Sequence, residues 1–463
     1  MPGFLRSAKR HVFFALLTGL LLRLWFLRSY PVIDGDTLVY ADIAYNWFAH
    51  GIYGITRPWG IQPTLIRLPG YPLFLAACFG IFGAGRWTAV LLVQTVMDLA
   101  ACLLVASFAA RAISRRAGIA ALFLATLCPF TANYVALPLT ETPTIFCIAL
   151  GLYALLRYTE APSVGRWFWT LAFAISWCAL LRPDGALLGV VLLPAMILYD
   201  GHVELRQRAG LAVLCAAITL LPFVAWMARN AHTFHVFEPL APRYANDPGE
   251  FTPRGWVRWI RTWCVEYTST AEVYWNVSGD PIDPAALPAR AWGHGSQAAE
   301  TRALIGAYNR TQTMTPALSR AFGHLADERI AAHPLRYWVA LPLARLADMW
   351  LRPRTAQLWI ELRWWQYDRH HAETIFSWAY AAVNLLYLLL ALWGLRQRVP
   401  FRGMMIAYVL LRCALLLTIE APEDRYTLEC FPMIFILAGT AIAARWPGRS
   451  LPSIAAAPSQ PSV

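Results

Sequence analysis

Charge is scarce in this sequence. Of its 463 residues only 14% are Asp, Glu, Lys or Arg, where soluble domains carry about a quarter, and 58% are hydrophobic. Lysine is nearly missing: Lys9 stands alone, and arginine carries the net charge of +12. The nine cysteines form no CxxC pair, and only Cys264 lies in a long polar stretch, so no disulfide framework or clustered thiolate site is expected. Ten-residue alternating strands are absent, which argues against a membrane barrel. There is no Walker motif for ATP and no nucleic-acid-binding motif, so the basic balance does not imply a DNA or RNA partner.

What the sequence has in quantity is long apolar runs. Several are long enough to cross a hydrocarbon core about 30 Å thick, where every backbone polar group must be paired internally. The fold class expected is an all-α polytopic membrane protein with about ten transmembrane helices, near 12–29, 87–110, 118–136, 142–158, 167–181, 185–200, 209–228, 374–395, 403–419 and 427–444. The basic start and first apolar run imitate a signal peptide. No small-residue cleavage site follows and Arg23 interrupts the run, so an uncleaved first helix is expected. Arg23 and Asp98 fall at similar depth in the first two helices. A charge there is costly unless paired, so an Arg23–Asp98 pair is expected.

Basic residues mark the short loops of one side: Arg6, Lys9 and Arg10, then Arg111, Arg115 and Arg116, Arg157 and Arg166, Arg206 and Arg208, Arg396, Arg398 and Arg402, and Arg445 and Arg449. By the positive-inside rule that side is cytoplasmic. Both termini are then cytoplasmic in an inner-membrane protein, and the acid–base clusters face the external, periplasmic side. Four regions follow. Residues 1–228 form an N-terminal transmembrane module with an external first loop at 30–86. Residues 229–373 form a long external or juxtamembrane segment, 374–446 the last helices, and 447–463 a disordered tail. Within 229–373, the stretch 333–346 reads as an amphipathic helix on the membrane surface, with a buried or re-entrant pair of half-helices as the alternative.

The first loop concentrates carboxylates at a membrane boundary: Asp34, Asp36 and Asp42. Asp36, Tyr40 and Ala44 recur at a spacing of four and share a face if a helix starts there. Asp36 would then sit near its N-cap, where capping alone is one use for a carboxylate. Three acids exceed what a cap needs.

The run Asp36-Thr-Leu-Val-Tyr40-Ala-Asp-Ile-Ala44, followed by Gly51-Ile-Tyr53 and by Arg67-Leu-Pro-Gly-Tyr71-Pro-Leu-Phe-Leu75, resembles the first loop of GT-C glycosyltransferases. The group most like it includes protein O-mannosyltransferases and lipid A aminoarabinose transferases. Leu139-Thr-Glu141-Thr-Pro-Thr-Ile-Phe146, Leu180-Leu-Arg182-Pro-Asp-Gly185, Pro222-Phe-Val-Ala-Trp-Met-Ala-Arg229-Asn230 and Glu423-Asp-Arg425-Tyr426 are similar to further family segments, in the same order.

The resemblance implies inverting transfer of a sugar from a polyprenyl-phosphate donor to a lipid, glycan or protein acceptor at the external face. Asp36 would be the catalytic carboxylate. An attacking hydroxyl or amine must lose a proton, which a carboxylate within hydrogen-bond reach accepts as general base; Asp34 is the alternative. Glu141 would orient the acceptor or cap its helix. Charge developing on the leaving phosphate calls for cations, and the guanidinium fork suits phosphate oxygens. Arg67, Arg425, Arg182 and Arg229 all lie at the outer boundary, where arginines also snorkel for structural reasons. Tyr40, Tyr71 and Tyr426 complete the candidate substrate site. The lipid A transferases have an acid just before the basic residue that opens the Pro-rich motif; Ile66 stands there here, so the motif does not support a divalent metal and no cofactor is expected.

A transporter or flippase of lipid-linked or small solutes is the rival reading. It calls for inverted repeats, broken midplane helices and intramembrane polar sites. No convincing repeat is present, and the polar clusters fall at the surface. A lipid scaffold without catalysis would tolerate the loss of Asp36.

Overall fold

The structure is a computed structural model that describes residues 4, 8–199, 201 and 203–445. The expected tail at 447–463 lies outside the described residues, as do Arg6 and Arg449.

The described residues are mostly helical, with one two-stranded hairpin. Helix α1 (Lys9–Ser29) buries Val12, Ala15, Gly19, Arg23 and Phe26, one stripe at spacings of three and four. Its other faces expose Phe13, Phe14, Leu21 and Trp25. After α1 come α2 (Asp36–His50), a hairpin of β1 (Gly54–Arg57) and β2 (Gly60–Pro63), and α3 (Gly70–Phe82). The core helices are α4 (Trp87–Ala112), α5 (Arg115–Thr126), α6 (Pro129–Asn133), α7 (Glu141–Glu160), α8 (Arg166–Leu181), α9 (Leu187–Leu198) and α10 (Leu205–Phe234).

The 229–373 segment is no loop. It holds α11 (Arg254–Arg261), α12 (Ser296–Thr311) and α13 (Pro316–Ala332) around a separate core of Trp256, Trp259, Trp263, Tyr308 and Phe322, followed by α14 (Leu341–Leu351). A π-helical turn, Arg336–Ala340, leads into α14. Leu335, Trp338, Val339, Leu343 and Leu351 are exposed along this stretch, while Tyr337, Leu341, Arg345 and Met349 are buried. The bundle closes with α15 (His371–Gly394), α16 (Arg402–Leu416), a 3-10 turn over Asp424–Cys430, and α17 (Phe431–Arg445).

Helix α17 runs through the interior, packed on α5 and α15. Gly439 permits this: a Cβ there would lie 2.7 Å from the Ala121 backbone nitrogen. Outward-facing α1, α10 and α15 are covered with exposed Leu, Val, Ile, Phe and Trp. Such an apolar exterior is stable against hydrocarbon and not against water, which makes this a multi-pass membrane protein.

Of the ten spans expected, length and composition alone mark fewer among the described residues. Six helices are long and apolar enough to cross a membrane, or seven if the bent pair at 115–136 is one span. The single helix expected at 118–136 is broken by a 44° bend between α5 and α6. Pro129 is the reason, since proline lacks the N–H that would continue α5 and disfavours helical backbone in the residue before it. Helices α3, α8 and the 183–198 stretch are shorter apolar elements. The buried Arg23–Asp98 pair does form: the Arg23 Nε donates to Asp98 Oδ2 at 2.6 Å, and Nη1 donates to the carbonyls of Gly19 and Thr126.

Candidate active site

Gly35, with φ +49°, turns the chain from α1 into α2 and leaves Asp36 as the first helical residue. The Asp36 side chain makes no capping hydrogen bond. Instead Arg67 Nη2 donates to its Oδ1 at 2.6 Å, and Arg425 Nη2 lies 3.7 Å from its Oδ2. Burial alone would raise the Asp36 pKa, but these two guanidiniums outweigh it and hold the carboxyl below its ordinary value. The Arg67 guanidinium also covers the Tyr40 ring at 5.5 Å, and that ring meets Tyr71 edge-on at 5.0 Å. Burial, with the nearby Asp36 charge, pushes the Tyr40 phenol up to about 12.

Two clamps hold the loop that presents Arg67. Asp247 accepts from the Thr64 hydroxyl and the Leu65 N–H, each at 2.8 Å. Arg229 donates to the carbonyls of Thr64 (2.8 Å) and Tyr53 (2.7 Å), and the Tyr53 hydroxyl donates to the Arg67 carbonyl at 2.8 Å. Gly70 lets the following helix approach α8 closely, since a Cβ there would lie 2.5 Å from the carbonyl carbon of Leu180.

Arg425 is the centre of the cluster. Its Nε lies 2.6 Å from Glu423 Oε2, its Nη2 donates to Glu423 Oε1 at 3.1 Å, and its Nη1 lies 3.5 Å from Glu141 Oε1. Tyr426 donates its hydroxyl to Glu423. Glu141 opens α7 yet makes no cap either; Arg182 Nη1 donates to it at 3.0 Å. Arg182 also pairs with Asp184 at 3.1 Å and lies 3.5 Å from Glu429. Arg412 closes the network on Asp184 and, at 3.1 Å, on Glu429. The guanidiniums of Arg182 and Arg425 lie over the Tyr426 ring at 5.5 and 5.4 Å.

This network opens onto a cavity of about 700 Å³ whose wall includes Asp34, Asp36, Glu423, Arg425, Tyr267 and Trp275. A second, apolar cavity of about 560 Å³ lies beside the Arg67 loop, lined by Trp47, Leu73, Trp177, Pro222 and Trp226 and edged by Arg229.

Of the residues singled out from sequence, the fold gathers Asp36, Glu141, Arg67, Arg182, Arg425, Tyr40, Tyr71 and Tyr426. Asp34 lines the cavity, but no ion pair reaches it among the described residues. Arg229 stands apart, with its guanidinium committed to loop carbonyls and to Asn230. Asp42 serves the hairpin, accepting from the Thr56 N–H at 2.6 Å and the Asn46 amide at 3.1 Å. Sequence reasoning passed over Asp184, Arg412, Glu423 and Glu429 as site residues. The signal was there for Arg412 and Glu429, each an ionisable residue in an apolar helical stretch, where charge must be paired. Among the described residues no group of three or more His, Cys, Asp or Glu side chains is placed to hold a metal ion.

Residues 62–227 match the family model described as dolichyl-phosphate-mannose-protein mannosyltransferase. No curated protein matches the sequence. The oligosaccharyltransferase of Archaeoglobus fulgidus, crystallised with a tethered acceptor peptide containing the NVT sequon, superposes with a TM-score of 0.50 at 11% identity, over 96% of this chain and 50% of that one. The same organism's oligosaccharyltransferase AglB, in complex with an inhibitory peptide and a dolichol-phosphate, gives 0.50 at 11% identity over 95% and 50%. ArnT from Cupriavidus metallidurans bound to undecaprenyl phosphate gives 0.41 at 15% identity over 95% and 77%. The chain spans about half the length of the archaeal oligosaccharyltransferases it matches. By fold over most of its length, and by the family match at 62–227, this chain is similar to the GT-C membrane glycosyltransferases.

Proposed function

We propose that this protein is a GT-C glycosyltransferase that moves a sugar from a polyprenyl-phosphate donor to a hydroxyl or amine of a lipid, glycan or protein acceptor. The observation that carries the reading is Asp36 at the cavity wall, held between Arg67 and Arg425. One carboxylate and two guanidiniums at a membrane boundary are the groups this reaction needs.

In the transfer, the acceptor attacks the anomeric carbon from the face opposite the phosphate, so the configuration inverts. Its proton passes to Asp36 as general base. The bond between the anomeric carbon and the phosphate oxygen breaks, and the leaving phosphate's charge falls on Arg67 and Arg425. A phosphate that draws these arginines away from Asp36 also restores the proton affinity that they depress. Arg182 supports Arg425 through their shared Glu141 and Tyr426, and Asp34 accepts a hydrogen bond from the acceptor at the mouth. Tyr40 and Tyr71 back the Arg67 guanidinium. The positive-inside pattern supports an external site with both described ends of the bundle cytoplasmic.

The test uses the full chain purified in detergent, a pool of polyprenyl-phosphate-linked sugars labelled in the sugar, and a membrane extract as acceptor. Transfer of label to the extract is the expected result. No transfer from any donor of the pool, with solute accumulation in proteoliposomes, would replace this reading with that of a transporter.

A further inference from the structure

Formal charge in the site does not balance. Asp36, Glu141, Asp184, Glu423 and Glu429 contribute five carboxylates, and Arg67, Arg182, Arg412 and Arg425 four guanidiniums. With every group ionised the network carries one negative charge, and unpaired Asp34 at the same cavity adds another. A phosphate brings a further negative charge into a confined, partly dehydrated space where like charges repel strongly. Arg425 is also surrounded: its three nitrogens lie 2.6–3.7 Å from carboxylates of Glu423, Glu141 and Asp36, and the closest of these is Glu423. A phosphate oxygen gains a full hold on this guanidinium once one of those carboxylates lets go.

We propose that Glu423 is the residue that lets go: binding of the donor phosphate drives one proton from solvent onto Glu423, which releases Arg425 to the phosphate. This rests on the glycosyltransferase reading of the same site and adds proton uptake to its binding step.

Glu423 is the member placed for this. It lines the cavity, so a proton from bulk water reaches it, whereas Glu141 and Glu429 do not line that cavity. It holds Arg425 by two contacts, at 2.6 and 3.1 Å, so its neutralisation frees two guanidinium nitrogens at once. Burial and Asp36 favour its neutral form, and the hydrogen bonds and charge of its own segment the ionised one. From its own segment come Arg425, which opposes protonation, and the Tyr426 hydroxyl. From α2 comes the like charge of Asp36, and from neighbouring segments the uncharged phenols of Tyr134 and Tyr267. Burial first, and Asp36 after it, leave the Glu423 carboxyl above the ordinary glutamate value despite Arg425. Asp36 is displaced the other way and starts ionised, free to act as base.

The test is calorimetric titration of the full chain in detergent with undecaprenyl phosphate at pH 8, where this monoester is itself largely dianionic. Buffers of different ionisation enthalpy report the protons exchanged. Wild type is expected to take up about one proton per phosphate bound, with affinity falling up to about tenfold per pH unit above neutrality. Glu423→Gln, already neutral, is expected to bind with little proton uptake and a flat pH profile, and Glu423→Asp to restore the uptake. Equal uptake in wild type and Glu423→Gln, or binding that requires a divalent cation and is abolished by chelation, would overturn the proposal while leaving the glycosyltransferase reading standing. No binding of the phosphate by folded wild type would sink both.

Discussion

Arg67 and Asp36, 31 residues apart in the chain, meet at 2.6 Å across the mouth of the first loop. The contact sets the ionisation of the carboxylate on which the proposed chemistry depends. Because the folded-state pKa of Asp36 is depressed, its ion pair contributes stability at pH values above the unfolded Asp value of about 3.9. That contribution is lost as pH falls through the folded value. Arg67→Ala removes the nearer guanidinium. The Asp36 titration, followed by infrared spectroscopy of the carboxyl against an Asp36→Asn reference, is expected to move up toward the ordinary range. An unchanged titration would mean that Arg67 does not govern Asp36.

Arg412 is fully buried and faces two acids, Asp184 and Glu429. Replacing it by leucine leaves both carboxylates with Arg182 as their one remaining cation among the described residues. The expected cost is about 3–5 kcal/mol, the magnitude for breaking a buried pair from one side. Thermal unfolding in detergent reads this directly. A variant as stable as wild type would show that the network is solvated or differently paired.

Arg23 and Asp98 lock α1 to α4 in the interior. Arg23→Leu alone is expected to destabilise by about 3–5 kcal/mol, whereas the double change Arg23→Leu with Asp98→Leu recovers most of that loss. A double-mutant cycle by denaturant unfolding measures the coupling. Strict additivity would contradict the pairing.

Arg229 bonds to carbonyls of the loop that carries Arg67, at 2.7 and 2.8 Å. Arg229→Ala is expected to cost about 1–3 kcal/mol per carbonyl left unpaired. It is also expected to weaken donor affinity only as far as Arg67 is misplaced. If the variant keeps its thermal stability but loses donor binding as completely as Arg425→Ala, Arg229 touches the phosphate itself.

What was readable in the sequence follows the physics of each signal. The helical, membrane character was legible because apolar runs such as α1 and α4 report on their own solvent. The shape of each span was less so: α3, α8 and the 183–198 stretch are apolar but short, and the break before Pro129 splits what looks like one run. The meeting of Asp36, Glu141, Arg182 and Arg425 was suggested by resemblance alone, since no local pattern links the start of α2 to the turn before α17. The pairing of Arg412 with Asp184 stayed hidden because a charge is weighed by its partner, and these two lie 228 residues apart. The 229–373 segment resisted reading for another reason. Its helices are short and mixed in polarity, and its core is a stack of tryptophans that composition alone reads as an interfacial belt.

The central claim is that Asp36 takes the acceptor's proton, and Asp36→Asn tests it most directly. The variant keeps the shape of the side chain and removes the base. With polyprenyl-phosphate sugars and a membrane acceptor, the account predicts a folded protein that still binds donor but transfers sugar about 10²–10⁴-fold more slowly than wild type. Transfer at the wild-type rate would contradict it and place the base elsewhere in the cavity.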